Sequence, residues 1–176
     1  MSEDVSETIT AETKEWWRIL TALEAFPCLT EENSKPTSRA NLQYNCIAWA
    51  AEDTSFPWWP KRPEEEWRWP PSVPREESLD CFVQAFETLG YQTCDDGTYE
   101  SEYQKVVIYV NDQGTPKHMA RQLTTGPNKG WWTSKMGVRN IDICHRSVKD
   151  LEGEGYGKAK QYMRRPISSH SNPSET

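Results

Sequence analysis

A cysteine at the start of a short apolar segment is the first residue of this sequence whose setting suits catalysis. In "QYNCIAWAAED", Cys46 follows Asn45, a frequent helix N-cap residue, and precedes the apolar residues 47–51. The unpaired N–H groups of a helix start favour a thiolate, and together with the side-chain amide of Gln43 or Asn45 they can hydrogen-bond an oxyanion. The pattern predicts Cys46 as a nucleophile, with Gln43 and Asn45 as candidate oxyanion donors. The alternative interpretation is an inert cysteine buried on a core helix.

A thiol nucleophile needs a base, and His118 in "PKHMARQL" is the preferred candidate. The segment has the pattern of a strand, and a hairpin turn at "TGPNKG" places the cross-strand neighbour of His118 near residue 135. Ser134 then lies within reach, and its hydroxyl can orient the imidazole. His145, with Asp142 nearby, is the competing base, and a polar strand residue facing solvent is the alternative for His118. Whether Ser134 or Asp142 holds the third catalytic position stays open.

The elements that must position these residues follow from apolar periodicity. The spacing predicts helices over residues 10–26, 42–52 and 77–90. Runs of β-branched residues separated by turn signals predict an antiparallel meander within residues 105–145, and residues 156–166 suit either a strand or a helix. Because the helices precede the strands along the chain, we expect an α+β fold in which the cysteine helix packs on the sheet.

A tryptophan- and proline-rich loop over residues 56–75 separates the second helix from the third. Its proline residues exclude a regular helix or a central strand. Trp58, Trp59, Trp67 and Trp69 fit two interpretations: they pin the loop to the core, or they line a groove that binds an extended peptide or a sugar.

Length and charge bound the remaining possibilities. The 176 residues suit one domain, expected over residues 11–166 with disordered ends at residues 1–10 and 167–176. A net charge of -7 disfavours nucleic-acid binding. The sequence contains no apolar run of membrane-spanning length, and its acidic start has no apolar signal core, so we expect a cytoplasmic protein, with export possible only by a non-Sec route. Five cysteines without a C-x-x-C pair predict free thiols, no metal site and no cofactor.

The order of a helix-borne cysteine, a strand-borne histidine and a polar residue on the next strand resembles the papain-like superfamily of thiol hydrolases. More closely, "YNCIAWA", "FVQAFETLGY", "HMARQL", "WTSKMG" and "LEGEGYGKAKQYMRRP" resemble an uncharacterised, mainly bacterial family of small papain-like proteins regarded as cysteine peptidases. The resemblance implies a papain-like fold of N-terminal helices on a small antiparallel sheet. It also implies Cys46 as nucleophile, His118 as base and Ser134 as the third residue.

Two functions are therefore expected as alternatives. The first is a thiol hydrolase that cleaves a peptide, isopeptide or other amide bond in a peptide or protein substrate through an acyl-enzyme on Cys46. The second is a non-catalytic adaptor that binds a protein through the loop at residues 56–75. The oligomeric state and the biological role stay open.

Overall fold

A computed structural model describes residues 9–62 and 66–167, and its central feature is a seven-stranded antiparallel sheet. The α-helices of the described chain are α1 (Ala11–Thr21), α2 (Cys46–Ala50) and α3 (Leu79–Glu87). The strands are β1 (Ser34–Pro36), β2 (Gln92–Cys94), β3 (Tyr103–Val110), β4 (Pro116–Gln122), β5 (Trp132–Lys135), β6 (Asp142–His145) and β7 (Lys158–Pro166), and a 3₁₀ helix covers Val148–Leu151. The order across the sheet is β1-β6-β5-β4-β3-β7-β2. No helix within the described ranges is long and apolar enough to cross a bilayer.

The predicted fold class, a papain-like α+β domain with N-terminal helices on a small sheet, is wrong. The sheet dominates the described chain, and α2 has five residues where eleven were predicted. Strands β1 and β2 were not predicted because a three-residue edge strand carries no apolar alternation. Strand β7 is polar and largely half-exposed, and it is held by backbone pairing to β3 and β2 rather than by an apolar face. The ends predicted to be disordered, residues 1–10 and 167–176, lie outside the described residues apart from residues 9, 10 and 167.

The two faces of the sheet carry separate hydrophobic cores. One face, here called the α1 face, packs against α1, the loop after it and the 3₁₀ helix through Leu20, Phe26, Leu29, Val107, Tyr109, Ala120, Trp132, Ile143 and Leu151. The opposite face, here called the α2 face, packs against α2 and α3 through Ile47, Ala48, Phe82, Phe86, Val106, Ile108, Met119 and Met163. Because successive strand residues point to opposite faces, neighbours in sequence enter different cores.

The register of the central strands decides which polar residues share a face. Strand β4 pairs with β5 through Arg121 and Thr133, and β5 pairs with β6 through Trp132 and His145. Alternation from these pairs places His118, Ser134 and His145 on the α1 face. Asp142 falls on the α2 face, three residues before His145.

Helix α2 is short because both of its ends are closed by local hydrogen bonds. At the start, the Asn45 side chain accepts a bond from the Ala48 N–H at 3.1 Å. At the end, Glu52 has a φ of 61° and the Asp53 N–H returns to the Ala48 carbonyl at 2.9 Å, which is the pattern of a Schellman cap. The helix lies on the α2 face, where the Trp49 indole donates to Thr133 of β5 at 3.0 Å.

Candidate active site

A row of three buried polar side chains crosses strands β4, β5 and β6 on the α1 face. Nε2 of His118 lies 3.0 Å from Oγ of Ser134, and the same oxygen lies 2.8 Å from Nε2 of His145. All three side chains are fully buried. Their contacts are diagonal, since each residue lies two positions from the direct cross-strand partner of the next, and long side chains bridge that separation. The structure thus brings together His118 and Ser134 and adds His145 to them.

His118 is a neutral imidazole, and one of its ring nitrogens makes no hydrogen bond. Its ring stacks on Tyr156 at 4.0 Å between centroids with an interplanar angle of 6°, and Tyr109 packs against it at 5.5 Å. Burial, reinforced by the nearby His145, holds the pKa of His118 well below its usual range. Its Nδ1 is buried and makes no hydrogen bond. A buried ring nitrogen without a protein partner is uncommon, and this makes His118 a candidate functional residue.

Cys46 begins α2 beside the backbone of the residue that follows His118. The backbone N–H groups of Met119 and Ile47 favour the thiolate and lower its pKa, but burial outweighs them and raises the pKa of the Cys46 thiol to about 11. The sulfur is also close enough to Tyr156 to raise the pKa of that phenol, although burial is the larger cause. Tyr156 also stacks on His118, so the Cys46 sulfur and the His118 ring both adjoin this phenol, and Nδ1 of His118 makes no hydrogen bond to the sulfur.

The thiolate expected at a helix start is therefore not the resting form of Cys46. A helix of five residues has a weak dipole, and its few N–H groups do not offset the loss of solvent around the sulfur. At neutral pH both the Cys46 thiol and the His118 imidazole are therefore neutral.

The two predicted oxyanion donors have different environments. The Asn45 amide is engaged: Nδ2 donates to the Trp58 carbonyl at 2.8 Å, while Oδ1 accepts from the backbone N–H groups of Ala48 and Trp58. It joins the start of α2 to the tryptophan-rich loop. Gln43 is exposed just before the helix, and its side chain lies at the surface.

Asp142 does not contact the row of polar side chains, because it points to the α2 face. Its Oδ2 accepts hydrogen bonds from Tyr44 at 2.7 Å and Ser38 at 2.6 Å, and its Oδ1 lies 3.8 Å from the ammonium of Lys135. Lys135 also covers the Tyr44 ring at 4.2 Å. This buried cluster ties the segment that precedes Cys46 to strands β5 and β6.

The tryptophan-rich loop packs on α3, and its residues line a cavity together with Thr88 at the end of that helix. Trp58 and Trp69 are buried against Phe86 and Phe82, as pinning of the loop to the core requires. The cavity has a volume of about 670 Å³, and the half-buried Trp67 lies in its wall.

The five cysteines are free thiols in different settings. Cys28 is exposed, Cys46 and Cys94 are partly exposed, and Cys81 and Cys144 are buried. Within residues 9–62 and 66–167 no group of three or more histidine, cysteine or acidic side chains is arranged to hold a metal ion.

Residues 35–164 match a protein family described as a domain of unknown function (DUF7689). Neither a curated protein nor a solved structure matches the chain. The matched region contains α2, strands β4 to β6 and the tryptophan-rich loop, but the family description names no activity.

Proposed function

The chain belongs to the family described as a domain of unknown function (DUF7689), and we propose that it is a thiol hydrolase acting through Cys46. The observation that carries this proposal is the unused Nδ1 of His118. That nitrogen is buried without a hydrogen bond, while the backbone N–H of the next residue, Met119, lies near enough to the Cys46 sulfur to lower the pKa of the thiol. A base with a free lone pair beside a thiol is the arrangement that nucleophilic catalysis by cysteine needs.

The proposed reaction begins with two neutral groups. As the Cys46 sulfur attacks the carbonyl carbon of an amide, its S–H bond breaks and the proton passes to Nδ1 of His118. Because burial disfavours the charged forms of both groups, proton transfer accompanies attack instead of preceding it. The backbone N–H of Cys46 and the side-chain amide of Gln43 stabilise the oxyanion.

The second half of the reaction returns the proton. His118 delivers it to the leaving amine as the C–N bond breaks, which leaves an acyl thioester on Cys46. Water then attacks the thioester, giving up its proton to His118, and the carboxylic acid is released with the free thiol restored. Ser134 accepts the Nε2–H of His118 throughout and fixes the ring.

The proposed substrate is a peptide or protein, and the proposed location is the cytoplasm. Trp58 lines the cavity of the tryptophan-rich loop, and the amide of Asn45, the residue before Cys46, donates a hydrogen bond to the Trp58 backbone carbonyl. This contact supports binding of an extended peptide near the start of α2. All five cysteines are free, which is the state that a reducing compartment maintains.

Turnover of p-nitrophenyl acetate tests the proposal without knowledge of the natural substrate. We expect Cys46→Ala to lower catalysed release of p-nitrophenolate by about a hundredfold, because the nucleophile is removed. Cys28→Ala is the matched control, since it removes an exposed thiol far more open to the ester. Equal turnover by the wild type and Cys46→Ala would refute a hydrolase that acts through Cys46.

An adaptor is the second candidate function, and the cavity of about 670 Å³ favours it. Grooves lined by aromatic side chains bind extended, proline-containing segments of partner proteins. The adaptor predicts that a proline-rich peptide quenches tryptophan fluorescence equally in the wild type and in Cys46→Ala, and that Trp67→Ala weakens binding. Absence of saturable quenching in the wild type removes this candidate.

A further inference from the structure

The hydrogen bonds of His145 allow only one assignment of donors and acceptors, and the carbonyl of Ser147 decides it. Nδ1 of His145 lies 2.9 Å from the backbone carbonyl of Ser147, and a carbonyl oxygen can only accept. Nδ1 therefore carries the proton. Burial lowers the pKa of His145 to about 4, so the ring is neutral at neutral pH and has only that one proton. Its Nε2 is left with a lone pair.

The protonation of His145 also decides which group donates in the hydrogen bonds of Ser134 and His118. The Ser134 hydroxyl has one hydrogen and lies 2.8 Å from the lone pair of His145 Nε2, so it donates there. Its oxygen then accepts from Nε2–H of His118 at 3.0 Å. A neutral His118 that carries its proton on Nε2 has its lone pair on Nδ1, the atom that makes no hydrogen bond.

The opposite tautomer of His118 is disfavoured by the same contacts. With the proton on Nδ1, the two Nε2 atoms of His118 and His145 would both be acceptors facing one hydroxyl hydrogen. One of the two Nε2 atoms would then face the Ser134 oxygen at 3.0 Å or less with no hydrogen between them, in a site without exposure to solvent. Buried acceptors without a donor are strongly unfavourable.

We infer that His145 is a positioning residue that acts through Ser134 to keep His118 in the tautomer with a free Nδ1. This inference rests on the proposed function for its purpose, because a free Nδ1 matters only if His118 accepts the Cys46 proton. It differs from the usual acidic partner of a catalytic histidine, since a neutral imidazole supplies the orientation without a negative charge.

Nitrogen-15 NMR of the histidine rings in the complete wild-type chain tests the inference directly. The sequence has three histidines, and His170→Gln identifies the signals of the third. We expect His118 with a protonated Nε2 and an unprotonated Nδ1, and His145 with the reverse. A protonated Nδ1 on His118 at neutral pH would overturn the inference with no variant needed.

Two substitutions separate positioning from simple support of the fold. His145→Leu removes the acceptor, so the Ser134 hydrogen turns to Nε2 of His118 and the His118 proton moves to Nδ1. Acetylation of Cys46 by p-nitrophenyl acetate should then fall by about a hundredfold, the scale of losing the base. His145→Gln keeps an amide oxygen as acceptor for Ser134 and should retain the Nε2–H tautomer and most of the rate.

The readouts distinguish failure of this inference from failure of the proposed function. If His145→Leu leaves the proton of His118 on Nε2, the positioning role is refuted, whatever the rate. If the tautomer shifts as expected but acetylation of Cys46 in the wild type does not depend on His118, the hydrogen-bond direction is supported and the hydrolase proposal fails.

Discussion

Replacing Ser134 with alanine is expected to destabilise the protein unusually strongly for the loss of one hydroxyl. The Ser134 oxygen bonds to both His118 and His145, and all three side chains are fully buried. Its removal leaves two buried ring nitrogens without partners, and each such group costs roughly 1–3 kcal/mol. We expect a loss of about 3 kcal/mol in the free energy of unfolding, a large share of the roughly 5–15 kcal/mol typical of a domain.

Urea unfolding followed by tryptophan fluorescence measures this loss, since the chain contains nine tryptophans. Thr133→Val is the matched control because Thr133 is the buried neighbour on β5 and accepts one bond, from the Trp49 indole. That variant removes one hydrogen bond at nearly constant volume and should cost about 1 kcal/mol. If Ser134→Ala is no more destabilising than Thr133→Val, the hydroxyl does not satisfy both histidines.

Three further variants test the surroundings of the site. The pKa of His145 is about 4 in the folded protein and 6.5 in the free side chain, so the stability that the neutral ring contributes above pH 6.5 is lost as the pH falls toward 4. Between pH 7.5 and pH 5 the free energy of unfolding should therefore fall by about 2 kcal/mol more in the wild type than in His145→Gln. Equal losses in urea unfolding would contradict a buried neutral ring. Asp142→Asn leaves the ammonium of Lys135 buried without its carboxylate and should lower the free energy of unfolding by roughly 3 kcal/mol. If the unpaired ammonium is the cause, the double variant with Lys135→Met should recover stability. An Asp142→Asn variant as stable as the wild type would refute the prediction. Asn45→Ala removes the N-cap of α2 and the hydrogen bonds to Trp58. It should lower the free energy of unfolding by about 2 kcal/mol and speed chymotrypsin cleavage within residues 56–75. Unchanged cleavage would show that the conformation of the loop does not depend on Asn45.

Part of this fold could be predicted from local sequence because some strands carry their own signals. The β-branched run in β3 and the glycine-containing turn before β5 mark a meander, and the apolar periods mark α1 and α3. The edge strands β1 and β2 carry no such signal, since their pairing depends on where β6 and β7 lie. Without them the predicted sheet is smaller than the observed one. The papain-like fold class rested on the order of Cys46, His118 and Ser134 and on short motifs, which do not determine the number of strands.

The candidate site shows the same division between local and tertiary information. To predict the contact of His118 with Ser134, only the register of the β4–β5 hairpin is required, and the turn at "TGPNKG" indicates that register to within one residue. The contact of Ser134 with His145 needed a second register, across a turn whose left-handed Arg139 and Asn140 carry no glycine signal. The raised pKa of Cys46 depends on burial by distant segments, which no helix-start pattern contains.

Site-resolved acetylation by p-nitrophenyl acetate tests the central claim, that His118 activates Cys46, most directly. Exposed Cys28 is an internal reference within the same chain, because its reaction with the ester depends on solvent conditions and not on His118. Peptide mass mapping gives the ratio of the acetylation rates at Cys46 and Cys28. We predict that His118→Gln lowers this ratio by about a hundredfold, the contribution of a positioned general base. A ratio that is the same in the wild type and in His118→Gln would contradict the claim.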